Sequence, residues 1–264
     1  MVRSAIGKIK TKVINKASLL TDFIEYALIF TVVVECNSLF HFSENYRHTS
    51  AEVILTLLAI GMAFLLFLIY SGAYKTQLIK DLKKNWPLFA GLLAFMLAFF
   101  ALNVIRIGAD TAVRKFALNF ILFFSLTLFI FRLHRIAGRP NELLYKYANL
   151  MCVLTICNLI VYLCVTFRGD LAQTNIVLTR WDGLRRLNTR YNYFNICNIV
   201  SNEFRSLGGL ALHPDRGFFT EQLMFCIPLT TSLFIEMFLR PKRERRAWKW
   251  LVFLLALIAS QATL

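Results

Sequence analysis

The sequence predicts an all-α protein: a polytopic transmembrane bundle of about seven helices, with a long outer loop before the sixth. Three observations carry this. Hydrophobic residues make up 58% of the 264, too many for a soluble domain of this length. They gather in runs of roughly 20, the length that crosses the hydrocarbon as a helix. The basic residues fall on alternate sides of those runs, as multi-pass proteins require.

The runs are Asp22–Phe42, Val53–Ala73, Trp86–Ile105, Phe116–Leu133, Tyr147–Phe167, Gln222–Leu239 and Trp248–Leu264. Each is rich in Leu, Phe, Ile and Val, and several end in Trp or Tyr, the residues of membrane interfaces. None alternates with the period of two that a barrel strand needs. Ahead of the first run, Ile6, Ile9, Val13 and Ile14 oppose Lys8, Lys10, Lys12 and Lys16. This segment is either an amphipathic helix on the inner leaflet or a basic tail that fixes orientation. It is not a cleavable signal peptide, because Asp22, Glu25 and Glu35 interrupt the apolar run behind it and no small-residue cleavage pattern appears.

With the N-terminus cytoplasmic, the inner segments hold Arg3, Lys8, Lys10, Lys12 and Lys16, then Lys75, Lys80, Lys83 and Lys84. Arg132, Arg135, Arg139 and Lys146 come next, and then Arg240, Lys242, Arg243, Arg245, Arg246 and Lys249. The two short outer loops hold only Arg47, Arg106, Arg114 and Lys115. The net charge of +15 is therefore a topology signal. Nucleic acid is excluded as a partner, since no basic cluster accompanies a soluble recognition domain. The organisation reads as a cytoplasmic segment over 1–18, a five-helix bundle over 19–167, a periplasmic loop over 168–221, and two last helices over 222–264.

Six cysteines show no metal-ligand spacing and no disulfide framework. Most lie in or near spans as small apolar fillers. Cys197 alone is well inside the long loop, which makes it a natural thiol for testing which side the loop occupies. Walker, dinucleotide and zinc-protease motifs are all missing.

The loop exceeds fifty residues, a length that is usually functional or disordered. Trp181, Tyr191, Tyr193, Phe194, Phe204, Phe218 and Phe219 give it area to bury, which favours order. Tyr193, Cys197, Val200 and Phe204 recur at helical spacing and predict a short amphipathic helix, ended by Gly208-Gly209. Its basic residues are all arginine: Arg168, Arg180, Arg185, Arg186, Arg190, Arg205 and Arg216. Arginine forks suit phosphate oxygens. The competing reading is ion pairing with Asp170, Asp182, Glu203, Asp215 and Glu221, or contact with anionic lipid.

The segment His213-Pro-Asp-Arg-Gly-Phe-Phe-Thr-Glu221 sets charge beside a hydrophobic run, where charges pair, line wet cavities or do chemistry. Its Asp215-to-Glu221 portion resembles the Arg-x-x-x-Phe-x-Glu-Pro-type motif of bacterial O-antigen and capsule repeat-unit polymerases, within the O-antigen polymerase/ligase superfamily. Ala259-Ser-Gln-Ala-Thr263 is similar to the small, Ser/Thr-rich ending of the next helix in those proteins. Gln222 stands where the family usually has proline. Members typically continue for several more helices, so the resemblance implies an N-terminal portion of such a protein.

The resemblance implies a multi-pass protein of the bacterial inner membrane that joins undecaprenyl-diphosphate-linked oligosaccharides at the periplasmic face, without metal or other cofactor. Its partners would be lipid-linked oligosaccharide, membrane lipids and a chain-length regulator protein. Arg216, aided by Arg205, would stabilise the departing diphosphate. Glu221, His213 or Asp215 would take the acceptor proton.

Each residue has a plainer reading. Arg216 can snorkel to the interface, Glu221 can cap the sixth helix, and His213 can be an ordinary loop histidine. Arg106 and Glu35 either line an outward-open substrate cavity or pair with loop charges. Asn103 and Asn119 read as interhelical hydrogen-bond partners. Two other classes stay open: a transporter or flippase component for lipid-linked glycans, and a non-catalytic assembly partner.

Overall fold

The computed structural model describes residues 19–34, 51–107, 111–168, 175–179, 188–194, 196–200, 205–207, 210–212, 215, 217, 219 and 222–260, some by backbone alone. Among them are seven α-helices: α1 over 19–34, α2 (Ala51–Lys84), α3 (Trp86–Ile107), α4 (Thr111–Ile136), α5 (Glu142–Arg168), α6 (Gln222–Phe234) and α7 (Ala247–Ala259). A π-helical turn, Ile235–Leu239, continues α6, and a 3-10 turn, Lys242–Glu244, precedes α7. Two helices, over Ile54–Lys84 and Glu142–Phe167, are long and apolar enough to cross a membrane. The inner basic tail, Glu35 and the end of the first predicted run lie outside the described residues.

The long loop corrects one expectation. In place of an amphipathic helix it carries β1 (Asn175–Thr179), β2 (Asn188–Tyr193), β3 (Cys197–Val200), β4 (Arg205–Leu207) and β5 (Leu210–Leu212). The first three form an antiparallel sheet in chain order, and β4 pairs with β5. Tyr193 and Cys197 are cross-strand partners, so their spacing of four is that of a hairpin. Leu207 pairs with Leu210, and Gly208-Gly209, expected to end a helix, lie outside the described residues.

The helix ends obey their sequence signals. Within α2 the backbone leaves helical geometry at Tyr74 (φ −128, ψ 27), just past the predicted span end at Ala73. Asn85 then breaks the chain direction, its amide donating to Asp81 O at 2.9 Å, and Pro87 sits in the first turn of α3, where its missing N–H costs nothing. After α4, Gly138 takes φ +75. Gly138 N donates to Arg135 O and Arg139 N to His134 O, a Schellman ending, and Pro140 prevents continuation.

The chain divides into two compact units, Met1–Leu28 with Leu57–Leu143, and Ile29–Thr56 with Leu144–Leu264. In the first, α2 buries Ala59, Ala63, Leu66 and Tyr70 along one face, the spacing of a helical stripe. Phe67 meets Phe129 of α4 at 5.8 Å between ring centroids, and Arg132 Nε donates to Asp81 Oδ2 at 2.6 Å. In the second unit, α5 buries Ala148, Met151, Cys152, Thr155, Asn158 and Tyr162, and α6 with its π-helical turn buries Phe225, Leu229, Ser232, Ile235 and Glu236. Opposite these faces, side chains such as Leu93, Ile105, Val153, Ile160 and Ile258 are exposed. An apolar surface of this extent needs a cover of lipid or protein.

Candidate functional site

Within the second unit, β2 and β3 pack on α5 through a small core. Tyr193, Cys197 and Ile199 are buried with Tyr162 of α5, against Val161, Val165 and Ala259. Residues 197 and 199 share a face because strand side chains alternate. Beside Ile199, Asp215 joins this sheet through an isolated antiparallel bridge. The Asp215 N–H also donates to Ala259 O of α7 at 3.2 Å.

Asp215 is fully buried. Its Oδ1 accepts from Gly217 N at 2.8 Å, Asn158 Nδ2 at 3.2 Å and Cys197 Sγ at 3.5 Å. The same Asn158 amide donates to Ile196 O at 3.1 Å. Several segments of the second unit thus meet on one carboxylate and one amide. The Asp215–Gly217 contact is an Asx turn, in which a side chain replaces a backbone acceptor. Gly217 takes φ +60, and a Cβ built on it would lie 2.5 Å from the Phe225 ring, so both conformation and space require glycine. Phe225 in turn meets Phe219 at 6.3 Å.

The depth of this turn matters. Asn158 lies ten residues before the end of α5, roughly 15 Å along the helix axis at 1.5 Å per residue. Asp215, with Gly217 held to it, therefore lies beside the middle of the predicted fifth span.

Asp215 is the one predicted catalytic residue whose side chain is described, and its Oδ1 holds the turn through Gly217 N. His213, Arg216 and Glu221 lie outside the described residues, as does Glu35. Arg205 falls in β4 and Arg106 near the end of α3. Cys197, the intended labelling site, is fully buried. Burial pushes its thiol well above the usual range, and the charge and hydrogen bond of Asp215 add to this.

Two further buried polar groups were not anticipated from the sequence. In the first unit Glu25, Tyr70 and His134 meet: Tyr70 donates to Glu25 Oε1 at 3.0 Å, and His134 Nε2 is 3.0 Å from the same oxygen. In the second, Glu236 Oε1 lies 2.7 Å from Arg240 Nη2 and 3.2 Å from Lys249 Nζ. Both cations also donate to Asn149 Oδ1. The signal that could have found them is a charged residue inside an apolar run, as at Glu25 and Glu236.

Compared with known proteins, the chain matches no protein-family model, no curated protein and no solved structure.

Proposed function

We propose that this chain is a multi-pass protein of the bacterial inner membrane, with its N-terminus cytoplasmic. It joins undecaprenyl-diphosphate-linked oligosaccharide repeat units at the periplasmic face, or is a portion of a protein that does. The observation that carries this reading is the non-helical Asp215-to-Gly217 turn beside Asn158, partway along an apolar helix. Non-helical backbone at membrane depth persists only where protein buries it or a wet cavity receives it. On this reading Asp215 and Gly217 fix the chain on either side of Arg216, the candidate diphosphate-binding residue. Glu221, His213 and Asp215 are the candidate bases, with Arg205, Arg106 and Glu35 as candidate substrate contacts. Apolar outward faces suit lipid and a polyprenyl tail.

The direct test is complementation of a strain lacking the matching repeat-unit polymerase, with this chain and with a version extended by any downstream coding sequence. Arg216→Ala is expected to abolish the surface-glycan ladder wherever the parent restores it, while protein levels stay unchanged. A ladder that survives Arg216→Ala removes the arginine from the mechanism. No ladder from either parent, with both present in the membrane and the glycan units matched, favours a transporter or flippase component. The buried Glu25, Tyr70 and His134 group speaks for that second reading, since ionisable side chains inside apolar helices often mark transport paths.

Topology can be read separately. Phe194, in the turn after β2, is 53% exposed. With the cysteines other than Cys197 replaced by alanine, Cys197 is expected to resist an impermeant maleimide in intact cells. Phe194→Cys is expected to react. Reaction of Phe194→Cys only after the inner face is opened would invert the proposed orientation.

A further inference from the structure

We propose that the connection between α6 and α7, Arg240 to Lys249, binds the headgroup of an anionic phospholipid. Charge balance carries the inference. From Glu236 to Lys249 six Lys and Arg stand against two Glu, a net charge of +4. The buried carboxylate of Glu236 already serves two of these cations, Arg240 and Lys249. Lys242, Arg243 and Arg246 are exposed. Glu244 is the one acid among them in sequence. Its carboxylate lies 3.9 Å from the Arg243 side chain, which is 89% exposed. At that distance and exposure the pair contributes little. Three outward cations thus share one weakly held carboxylate among the described residues.

The patch is held in shape. α6 and α7 pack on each other, and the chain between them contains a 3-10 turn closed by Glu244 N on Pro241 O at 2.8 Å. Arg245 folds back on the end of the preceding helix, its Nε donating to Arg240 O at 2.9 Å. The neighbouring cations therefore stand on an ordered turn, which lowers the entropy lost on binding. Apolar side chains flank the turn on both helices. Phe234 and Phe238 meet at 5.0 Å between ring centroids, and both are exposed, as are Trp248 and Leu251. Trp beside a basic cluster at the end of an apolar helix is the pattern of a membrane interface. Clusters of Lys and Arg in that place attract anionic lipid, and arginine forks take phosphate oxygens in pairs. A free phosphate uses the cations alone. A phospholipid uses the cations and, through its acyl chains, the exposed apolar flanks as well.

The inference rests on the multi-pass membrane reading and not on the polymerase one. The full chain is purified in a neutral detergent and titrated with phosphatidylglycerol, cardiolipin or phosphatidylcholine. Native mass spectrometry counts the bound lipid, and Tm is followed in parallel. Saturable binding of both anionic lipids is expected, with a rise in Tm that phosphatidylcholine does not give. Arg243→Gln combined with Arg246→Gln removes two exposed cations and is expected to weaken that binding roughly tenfold to thirtyfold. Lys80→Gln combined with Lys83→Gln, at exposed positions of α2, is expected to leave it unchanged. If the arginine pair does not fold, Lys242→Gln decides the matter, with an expected loss of roughly fivefold. Binding unchanged in the deciding variant, equal loss in the lysine pair, or equal binding of phosphatidylcholine overturns the site. An equal rise in Tm with inorganic phosphate overturns the lipid as its ligand. A chain that stays monodisperse without detergent removes the membrane reading itself, an outcome separate from loss of lipid preference.

Discussion

Glu236→Ala is expected to destabilise the protein by about 3–5 kcal/mol, because it leaves two buried cations without their counter-charge. Arg240 and Lys249 side chains are 10% and 12% exposed, and the Glu236 side chain is fully buried. Arg240 cannot turn to water easily. Its Nη2 also donates to Tyr145 O at 3.1 Å, and its guanidinium lies 4.9 Å from the Tyr145 ring centroid. The π-helical turn helps to hold Arg240, with its backbone N–H closing on Ile235 O at 2.9 Å. Thermal unfolding in detergent reads the effect, a fall in Tm on the order of 10 °C for a chain of this size. A double-mutant cycle isolates the charge term. Glu236→Gln combined with Lys249→Met should be less destabilised than the sum of the two single changes, since it removes one orphaned cation with the carboxylate. Additive losses, or a single-mutant loss under about 1 kcal/mol, would place these charges in water.

Helix positions were legible because the signals that set them are local. Apolar run length, Pro87, Gly138, Pro140 and the basic clusters act over one or two turns. The Tyr74 break in α2 accordingly falls at the point where apolar sequence gives way to lysine. The strands were hidden by an ambiguity of spacing. A three-residue connection makes residues four apart in sequence into cross-strand neighbours, and four is also one helical turn. Tyr193 and Cys197 satisfy both templates. The alternation of Cys197 and Ile199 toward one buried face was the strand signal, but two residues are too few to outweigh the four-residue helical pattern.

Buried polar partners were less legible for a different reason. Asn158 and Asp215 are 57 positions apart, and Tyr70 and Glu25 are 45 apart. Nothing in local composition says which distant polar residue will answer a charge placed in an apolar run. Sequence marks the charge as costly; only the packing of helices identifies its partner.

Asp215→Ala is expected to collapse the turn between Asp215 and Gly217. The substitution removes one acceptor oxygen from three donors, of which Gly217 N and Asn158 Nδ2 are the stronger. Hydrogen bonds to a charged group contribute about 1.5–3 kcal/mol each, and a buried donor left unmet costs about 1–3 kcal/mol. A local loss of about 3–5 kcal/mol is expected. Asp215→Asn should retain much of it, because the amide oxygen still accepts from Gly217 N. Gly217→Ala tests the same turn by steric means: the new methyl meets the Phe225 ring and the αL backbone costs an alanine about 1–2 kcal/mol. The readout is protease cleavage between Tyr193 and Phe225 in intact membranes, together with the glycan ladder. A positioning role for Asp215 predicts that Asp215→Ala and Gly217→Ala both open the loop and abolish the ladder, and that Asp215→Asn keeps both largely intact. A proton-accepting role predicts the reverse for Asp215→Asn, a closed loop with no ladder, because the amide preserves the turn but cannot take a proton.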